Sequence, residues 1–146
     1  MIIYLDFDGT VVEHEYPKMG RCNYGCFEII KKLQDAGHEI ILNTFRSECN
    51  NDTLKQALSL INEKAFMLIK DRSKRDEFNL IPIKSTKAKI DPAPWDIESY
   101  KFHDVMFIDD ISSGTPLKKA CMVKGFMVDW DELDKRFEEA GIYNKI

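Results

Sequence analysis

The stretch YLDFDGT, residues 4–10, decides how the rest of this sequence is interpreted. A nearly unbroken apolar run begins at residue 2 and ends in two carboxylates, Asp6 and Asp8. Such a run is typical of a strand that is buried on both faces, as the strands of parallel sheets are. Gly9 follows the carboxylates, and its freedom of backbone conformation lets the chain turn so that both side chains face one cavity. The stretch therefore predicts a parallel sheet with chemistry at the end of its first strand.

The residues that follow show the periodicity of alternating helices and strands. Apolar stripes at helical spacing cover 26–33 and 54–61, and Asp129 and Gly141 are placed to begin and end a last helix. Further strands are predicted at 39–43, 65–69, 104–108 and 126–130. Strands that alternate with helices imply right-handed crossovers between parallel neighbours. We therefore expect an α/β fold, a three-layer sandwich around a doubly wound, mostly parallel sheet.

Length and composition predict a single domain. The chain has 146 residues, 44% of them hydrophobic, which is enough for one sizeable core, so we assign residues 1–146 to one domain. Residues 71–100 depart from the regular pattern, because this region holds three of the five prolines and many charges without a sustained period. Structureless connections of this length are uncommon in compact domains. We therefore expect a functional loop, a small insertion or a lid there.

Charge and apolar runs argue against two classes of partner. The net charge is −4, with 21 basic and 25 acidic residues interspersed, so no basic stripe indicates obligate binding to nucleic acid. Apolar runs such as 65–69 and 105–108 are far too short to span a bilayer, and the N-terminus has no basic leader. We therefore expect a cytoplasmic protein. The four cysteines are interpreted as reduced thiols, with a redox role for Cys22 and Cys26 as the alternative.

Three of the predicted strands end in polar residues, at the edge where parallel sheets bind ligands. Asp6 and Asp8 follow the first strand, Thr44 follows the second, and Asp109 with Asp110 follows the strand VMFI. Four carboxylates at one edge repel each other unless a cation or protons compensate. A hard divalent cation such as Mg²⁺ prefers oxygen ligands and completes its coordination with water and substrate phosphate oxygens. The edge therefore predicts a magnesium site and phosphoryl chemistry.

These motifs together resemble a known family. DFDGT at 6–10, the strand-end hydroxyl of IILNT at 40–44 and FIDD at 107–110 are similar, in this order, to the motifs of the haloacid dehalogenase (HAD) superfamily of aspartate-nucleophile phosphatases. The start of the chain, LDFDGTVVEHEYPKMG at 5–20, is similar to the start of small capless members, and only a short loop separates DFDGT from the first helical stripe. The resemblance implies a HAD-like fold, a Mg²⁺ cofactor and an open active site, with residues 71–100 or a neighbouring subunit as a lid.

The resemblance also implies a role for each strand-end residue. Asp6 matches the nucleophile, and Asp8 matches the general acid and base, whose backbone carbonyl also binds Mg²⁺. Thr44 matches the residue that binds the phosphoryl group. Asp109 and Asp110 match the metal-holding pair, with Asp110 favoured as the direct ligand. All four aspartates therefore belong to the implied metal site.

A lysine that steadies the nucleophile and the phosphate completes the family's pattern. Lys101 lies eight residues before Asp109, a spacing that resembles small phosphatase-like members, and we assign the phosphate-binding role to it. Lys87 and Lys89 are the alternatives, because other branches of the family place this lysine further upstream. Arg46 has two interpretations of equal weight, a partner for a substrate anion or a solvated side chain.

The sequence therefore predicts an enzyme, a Mg²⁺-dependent HAD-family phosphatase that cleaves a phosphomonoester through an aspartyl-phosphate on Asp6. The resemblance implies a small phosphorylated substrate, such as a sugar phosphate or a nucleotide. The alternative is a catalytically silent module of the same fold that binds metal or phosphate or has a regulatory role. A two-component receiver domain is disfavoured, because receivers place the acidic pair after the first strand and the phosphoacceptor after the third.

Overall fold

The computed structural model describes residues 1–93, 96–110, 123–124 and 127–144, and this part of the chain is a mixed α/β structure. Its strands are β1 (Ile2–Leu5), β2 (Glu39–Leu42), β3 (Lys84–Ser85), β4 (Val105–Ile108), β5 (Val123–Lys124) and β6 (Met127–Val128). Its α-helices are α1 (Cys26–Asp35), α2 (Thr53–Ser59) and α3 (Trp130–Ala140). A π-helical turn covers Leu60–Lys64, and 3₁₀ turns cover Phe45–Glu48, Ala65–Leu68, Arg72–Glu77 and Ile97–Phe102.

A four-stranded parallel sheet with the order β3-β2-β1-β4 positions the strand ends. The register pairs Leu5 with Leu42 on one side and with Ile108 on the other. β1, β2 and β4 therefore end at one level, and the residues after them lie at the same edge. The strand predicted at 126–130 is shorter, and as β6 it pairs with β5 in a separate antiparallel sheet. The main sheet confirms the predicted α/β class.

One face of the main sheet carries the core. Alternate residues of a strand point to the same face, and those buried here are Ile3, Leu5, Ile40, Leu42, Met106 and Ile108. They form one cluster with the apolar stripe of α1, which contacts β2 and α3. The intervening residues Ile2, Tyr4 and Ile41 are half-buried. Within the described chain, β1 is therefore fully buried on one face and half-buried on the other, whereas its sequence pattern predicts burial on both.

The predicted strand at 65–69 is wrong. This stretch forms a 3₁₀ turn over Ala65–Leu68, and Phe66 and Met67 are exposed. A short apolar run is compatible with helix or strand, and here the run continues the helical path that starts with α2. The third strand of the sheet is β3 instead, which pairs with β2. Residues 71–100, predicted to be a loop, an insertion or a lid, thus supply a strand to the sheet.

Helix α3 begins and ends where its sequence predicts. The Asp129 carboxylate accepts a hydrogen bond from the backbone N–H of Glu132 at 3.2 Å, and Gly141 ends the helix with a φ of 76°. Beyond the helix, the Ile142 carbonyl accepts a hydrogen bond from His38 Nε2 at 2.8 Å. His38 is buried. This bond ties the end of α3 to the turn between α1 and β2.

The described cysteines are free thiols, as the sequence predicts. They are Cys22, Cys26 and Cys49, and Cys121 lies outside the described residues. Burial raises the pKa of both the Cys22 and the Cys26 thiol, which disfavours the thiolate that redox chemistry needs. Across the described ranges, none of the helices combines the length and the apolar character that crossing a membrane requires.

Candidate functional site

The candidate site lies at the carboxyl edge of the sheet, where β1, β2 and β4 end. Beyond the strands, the backbone N–H of Asp6 donates to the Ile108 carbonyl at 2.9 Å, and that of Asn43 donates to the Leu5 carbonyl at 2.7 Å. These bonds continue the ladder past the ends of β1 and β2. Asp6, Asn43 and Asp109 are the residues that directly follow the three strands. The sheet therefore brings together the strand ends that were predicted to carry the chemistry.

Three carboxylates form a compact acidic cluster at this edge. Asp6, Asp109 and Asp110 each offer an oxygen within 4.8 Å of the others. Burial, followed by repulsion from Asp109, raises the pKa of Asp6 well above its usual value. Burial also raises the pKa of Asp110 to about 6, with a hydrogen bond to Asp109 and repulsion from it as further causes. A set of oxygen donors of this kind is able to bind a hard cation.

Lys89 joins the acidic cluster from the segment that follows β3. Its Nζ lies 3.0 Å from Asp6 Oδ1 and 3.1 Å from Asp109 Oδ2, and the lysine side chain is almost completely buried. Burial lowers the pKa of the ammonium, but attraction to the two carboxylates outweighs burial and leaves that pKa raised. Lys89 is therefore held as a cation against Asp6 and Asp109.

Lys101, to which the sequence assigned this role, does not lie in the cluster. It is exposed in the 3₁₀ turn Ile97–Phe102, just before the amino end of β4. Because a strand rises about 3.3 Å per residue, the length of β4 separates Lys101 from the carboxyl edge by roughly 10 Å or more. Lys87 is also exposed and lines a different cavity. Of the three candidate lysines, Lys89 is the one that the fold brings to Asp6.

Asn43 holds the segment that carries Lys89. Its Oδ1 accepts a hydrogen bond from the Ile90 N–H at 2.8 Å, and its Nδ2 donates to the Ile90 carbonyl at 2.9 Å. Both backbone groups of the residue after Lys89 are therefore anchored to the end of β2. Sequence reasoning missed this role. The available signal was a polar residue at the end of IILN, but its partner is 47 residues away and leaves no local pattern.

The turn after β1 places Thr10 against Asp6 and Gly9 against Asp110. Thr10 Oγ1 donates a hydrogen bond to Asp6 Oδ2 at 3.0 Å, which orients that carboxylate. Gly9 has a φ of 85°, and a Cβ at this position would collide with the Asp110 carboxylate. Glycine therefore allows both the left-handed turn and the close approach of Asp110.

Asp8 turns away from the acidic cluster and pairs with Arg46. The Nε and Nη2 atoms of Arg46 donate to the two carboxylate oxygens of Asp8 at 2.8 and 2.7 Å. Arg46 is fully buried in an internal ion pair, so the interpretation as a solvated side chain is wrong. The pair joins residues 38 apart, and no local pattern in the sequence indicates it. The Asp8 side chain thus lies apart from the three carboxylates that form the metal-type cluster.

Thr44 lies at the end of β2 and is buried. Its Oγ1 accepts a hydrogen bond from the backbone N–H of Arg46 at 3.2 Å, which caps the 3₁₀ turn Phe45–Glu48. Because this bond uses the oxygen as an acceptor, the hydroxyl keeps its proton for donation. Thr44 lines the same cavity as Asp6 and is placed to donate to an anion there.

These residues line one open cavity of about 300 Å³. Its lining consists of Asp6, Asp8, Thr44, Arg46, Lys89 and Asp110, together with His14, Tyr16, Phe45 and Cys49. Phe45 and Tyr16 are exposed to solvent, and the Lys89 ammonium lies 4.9 Å from the centre of the Phe45 ring. The cavity therefore combines a charged interior with aromatic side chains that face solvent.

A scan against protein-family models, a search of curated proteins and a search of solved structures each found no match. The function has to follow from the chemistry of the cavity. Carboxylate oxygens, a lysine cation and a hydroxyl donor meet there. Such a set is suited to a divalent cation together with a phosphoryl group.

Proposed function

We propose that this protein is a Mg²⁺-dependent phosphohydrolase of the HAD superfamily, with the three-layer fold of that superfamily, and that it cleaves phosphomonoesters through an aspartyl-phosphate on Asp6. The observation that carries the proposal is the meeting of Asp6, Asp109, Asp110 and Lys89 at the carboxyl edge of a parallel sheet. A carboxylate that contacts a lysine and adjoins a metal-type cluster is equipped to attack phosphorus, because the charge of the phosphoryl group can be balanced there.

The charges of the site support a divalent cation. The carboxylates are Asp6, Asp8, Asp109 and Asp110, and the cations that contact them are Lys89 and Arg46. Among the described residues, the three clustered carboxylates outnumber the one lysine that contacts them, and a divalent cation would offset the difference. Burial raises the pKa of Asp6, and repulsion from Asp109 raises it further. Asp6, Asp109 and Asp110 would hold the ion, since carboxylate oxygens are its preferred ligands.

The first chemical step joins Asp6 to phosphorus. A carboxylate oxygen of Asp6 attacks while the bond between phosphorus and the leaving-group oxygen breaks, and Asp8, which takes up a proton from solvent for this step, donates it to that departing oxygen. Lys89 and the hydroxyl of Thr44 donate hydrogen bonds to the other phosphoryl oxygens. When bound, Mg²⁺ supplies further neutralisation of the phosphoryl charge.

The second step hydrolyses the aspartyl-phosphate. Water attacks phosphorus, Asp8 accepts a proton from it, and the bond between phosphorus and the Asp6 oxygen breaks, which releases inorganic phosphate. Asp6 is then a carboxylate again, and Asp8 releases its proton to solvent and returns to the carboxylate form that pairs with Arg46. The geometry supports this division of tasks, because Asp8 lines the cavity without belonging to the acidic cluster.

Small phosphomonoesters, such as sugar phosphates or nucleotides, are the proposed substrates. The cavity of about 300 Å³ has room for a phosphoryl group and the part of the substrate next to it. Phe45 and Tyr16 offer a flat apolar surface to a leaving group such as a nucleoside. The free thiols of the described cysteines fit a reducing cytoplasm, where such metabolites occur.

Hydrolysis of p-nitrophenyl phosphate tests the proposal. Wild-type protein is assayed with Mg²⁺ and with EDTA, and Asp6→Asn protein is assayed with Mg²⁺ at the same concentration. We expect turnover that requires the metal and that falls by roughly 1,000-fold or more in Asp6→Asn, because the nucleophile is lost. Binding of Mg²⁺ and beryllium fluoride without turnover of any phosphomonoester would contradict the proposed phosphatase activity and would identify the protein as the catalytically silent binding module.

A further inference from the structure

Arg46 carries a permanent charge, yet its side chain is fully buried. Burial of a charge is unfavourable unless an opposite charge and hydrogen bonds compensate. The rings of Phe7 and Tyr16 lie 5.0 and 5.3 Å from the guanidinium carbon and add cation–π contacts. The surroundings of Arg46 therefore restrict its guanidinium to one place beside the cavity.

Four hydrogen bonds to protein atoms orient this guanidinium. Nε and Nη2 donate to the two oxygens of Asp8 at 2.8 and 2.7 Å. Nη2 also donates to the Lys18 carbonyl at 3.1 Å, and Nη1 donates to the Thr53 carbonyl at 3.2 Å. The planar fork of arginine meets a carboxylate at two points, so it fixes both the position and the rotation of the Asp8 carboxylate.

Arg46 also links Asp8 to the phosphate side of the cavity. Its backbone N–H donates to Thr44 Oγ1 at 3.2 Å, while its side chain holds Asp8. One residue thus contacts both the proposed phosphoryl-binding hydroxyl and the proposed proton donor. A misplacement of a reacting group by about 1 Å can reduce a rate by roughly 100-fold. The distance between these two groups therefore depends on Arg46.

We propose that Arg46 is a positioning residue that orients Asp8 for proton transfer to the leaving group. The inference rests on the proposed function, because that function assigns proton transfer to Asp8. In the first step Asp8 takes up a proton from solvent and passes it to the departing oxygen as the P–O bond breaks, and in the second step it accepts a proton from the attacking water and releases it to solvent. Arg46 keeps its own protons throughout. Leaving groups that must be protonated therefore depend on Arg46, and leaving groups that depart as stable anions do not.

A series of leaving groups tests this role. kcat/KM is measured for dinitrophenyl, p-nitrophenyl, phenyl and alkyl phosphates with wild type, Arg46→Met, Asp8→Asn and the exposed control Arg72→Met. We expect Arg46→Met to lower kcat/KM by roughly 100-fold for phenyl and alkyl phosphates and by less than about 5-fold for dinitrophenyl phosphate. Asp8→Asn should show the same dependence, and adding Arg46→Met to it should change little, because the two residues act together. Arg72→Met should match the wild type.

An equal loss of kcat/KM for every leaving group would overturn the positioning role and leave the proposed function intact. Folding and the acidic cluster are monitored separately, by circular dichroism and by Mg²⁺ affinity. If Arg46→Met does not fold, the double variant Asp8→Asn with Arg46→Met, which removes both charges, is compared with Asp8→Asn alone. Equal kcat/KM values support the role, and a further uniform loss overturns it. Absence of turnover in the wild type itself would instead contradict the proposed function.

Discussion

At the scale of single residues, Asp6 and Asp8 show how surroundings give different chemistry to identical side chains. Asp6 is buried beside Lys89 and two other carboxylates. Asp8 is held instead by the two-point contact with Arg46. Paired acidic groups acquire separate tasks when their environments differ in this way. The spacing in DFDGT therefore presents one carboxylate to the metal-type cluster and one to the arginine.

Replacement of Lys89 should remove most of the activity, whereas replacement of Lys101 should not. Lys89→Met deletes the cation that contacts Asp6 and Asp109, and we expect kcat/KM to fall by roughly 100-fold or more. Lys101→Met is the matched control, because Lys101 is exposed and lies before the amino end of β4. Steady-state kinetics with an aryl phosphate compares the two variants. A larger loss in Lys101→Met would restore the assignment that the sequence spacing favoured.

Gly9 is predicted to be needed for more than its backbone conformation. Gly9→Ala and Gly25→Ala both place a side chain at a positive φ, so each should lower the free energy of unfolding by about 1 kcal/mol or more. The added Cβ of Gly9→Ala also collides with Asp110, whereas that of Gly25→Ala comes no closer than 3.8 Å to Asp131. Urea unfolding and Mg²⁺ titration separate the effects. Weakened Mg²⁺ binding is expected in Gly9→Ala alone, and equal Mg²⁺ affinity in both variants would contradict the clash.

At the scale of secondary-structure elements, β3 shows where local sequence patterns do not predict secondary structure. β3 has the sequence KS and lies in a charged segment, so it carries no apolar alternation. The apolar run at 65–69 has the composition of a strand, but it follows α2 without a break in the helical path. β3 is held by its pairing with β2, and Asn43 then anchors Ile90. Contacts from the neighbouring strand, rather than propensity, make this element.

His38 joins two elements and should make stability depend on pH. Burial lowers the pKa of His38 from its usual 6.5, so the folded protein favours the neutral ring that bonds to the Ile142 carbonyl. At a pH between the two pKa values, the unfolded chain binds more protons than the folded chain. The stability that neutral His38 contributes is therefore complete above pH 6.5 and is lost as the pH falls through the lower pKa of the folded state. We expect the free energy of unfolding to fall more steeply toward acid in wild type than in His38→Gln.

Urea unfolding at a series of pH values measures this difference. The acidic cluster contributes equally to the pH dependence of unfolding in wild type and in His38→Gln, so its contribution cancels when the two curves are compared. His14→Gln is the control, because His14 is exposed, and its curve should follow the wild type. Parallel curves for wild type and His38→Gln would show that His38 does not set the acid sensitivity.

At the scale of the whole molecule, a cation that binds only the folded chain stabilises it as a unit. Mg²⁺ at a free concentration about 100-fold above its Kd should raise the free energy of unfolding by ~2.7 kcal/mol. For a chain of this size, that corresponds to an increase in Tm of roughly 5–10 °C. Thermal melting in MgCl₂ and in NaCl of equal ionic strength measures the shift. Asp110→Asn should greatly reduce it, and identical melting in both salts would argue against a metal site.

Local patterns in the sequence determined the α/β class, the strands β1, β2 and β4, and the identity of the polar residues that follow them. Strand periodicity is a property of adjacent residues, and parallel strands present their carboxyl ends at one edge. Asp6, Asp8 and Thr44, with the pair Asp109 and Asp110, were therefore assigned to one place before any contact was known, and the register of the sheet brings those strand ends together.

Only the tertiary structure decided which cations complete the site. Lys89 and Asp6 are 83 residues apart, and Arg46 and Asp8 are 38 apart. Such contacts depend on the path of the backbone through β3 and on the anchor that Asn43 provides, and no periodicity encodes that path. The sequence spacing favoured Lys101, but the strand direction places it toward the opposite edge of the sheet. Local patterns specify which residues follow a strand, whereas long-range packing specifies which distant residues contact them.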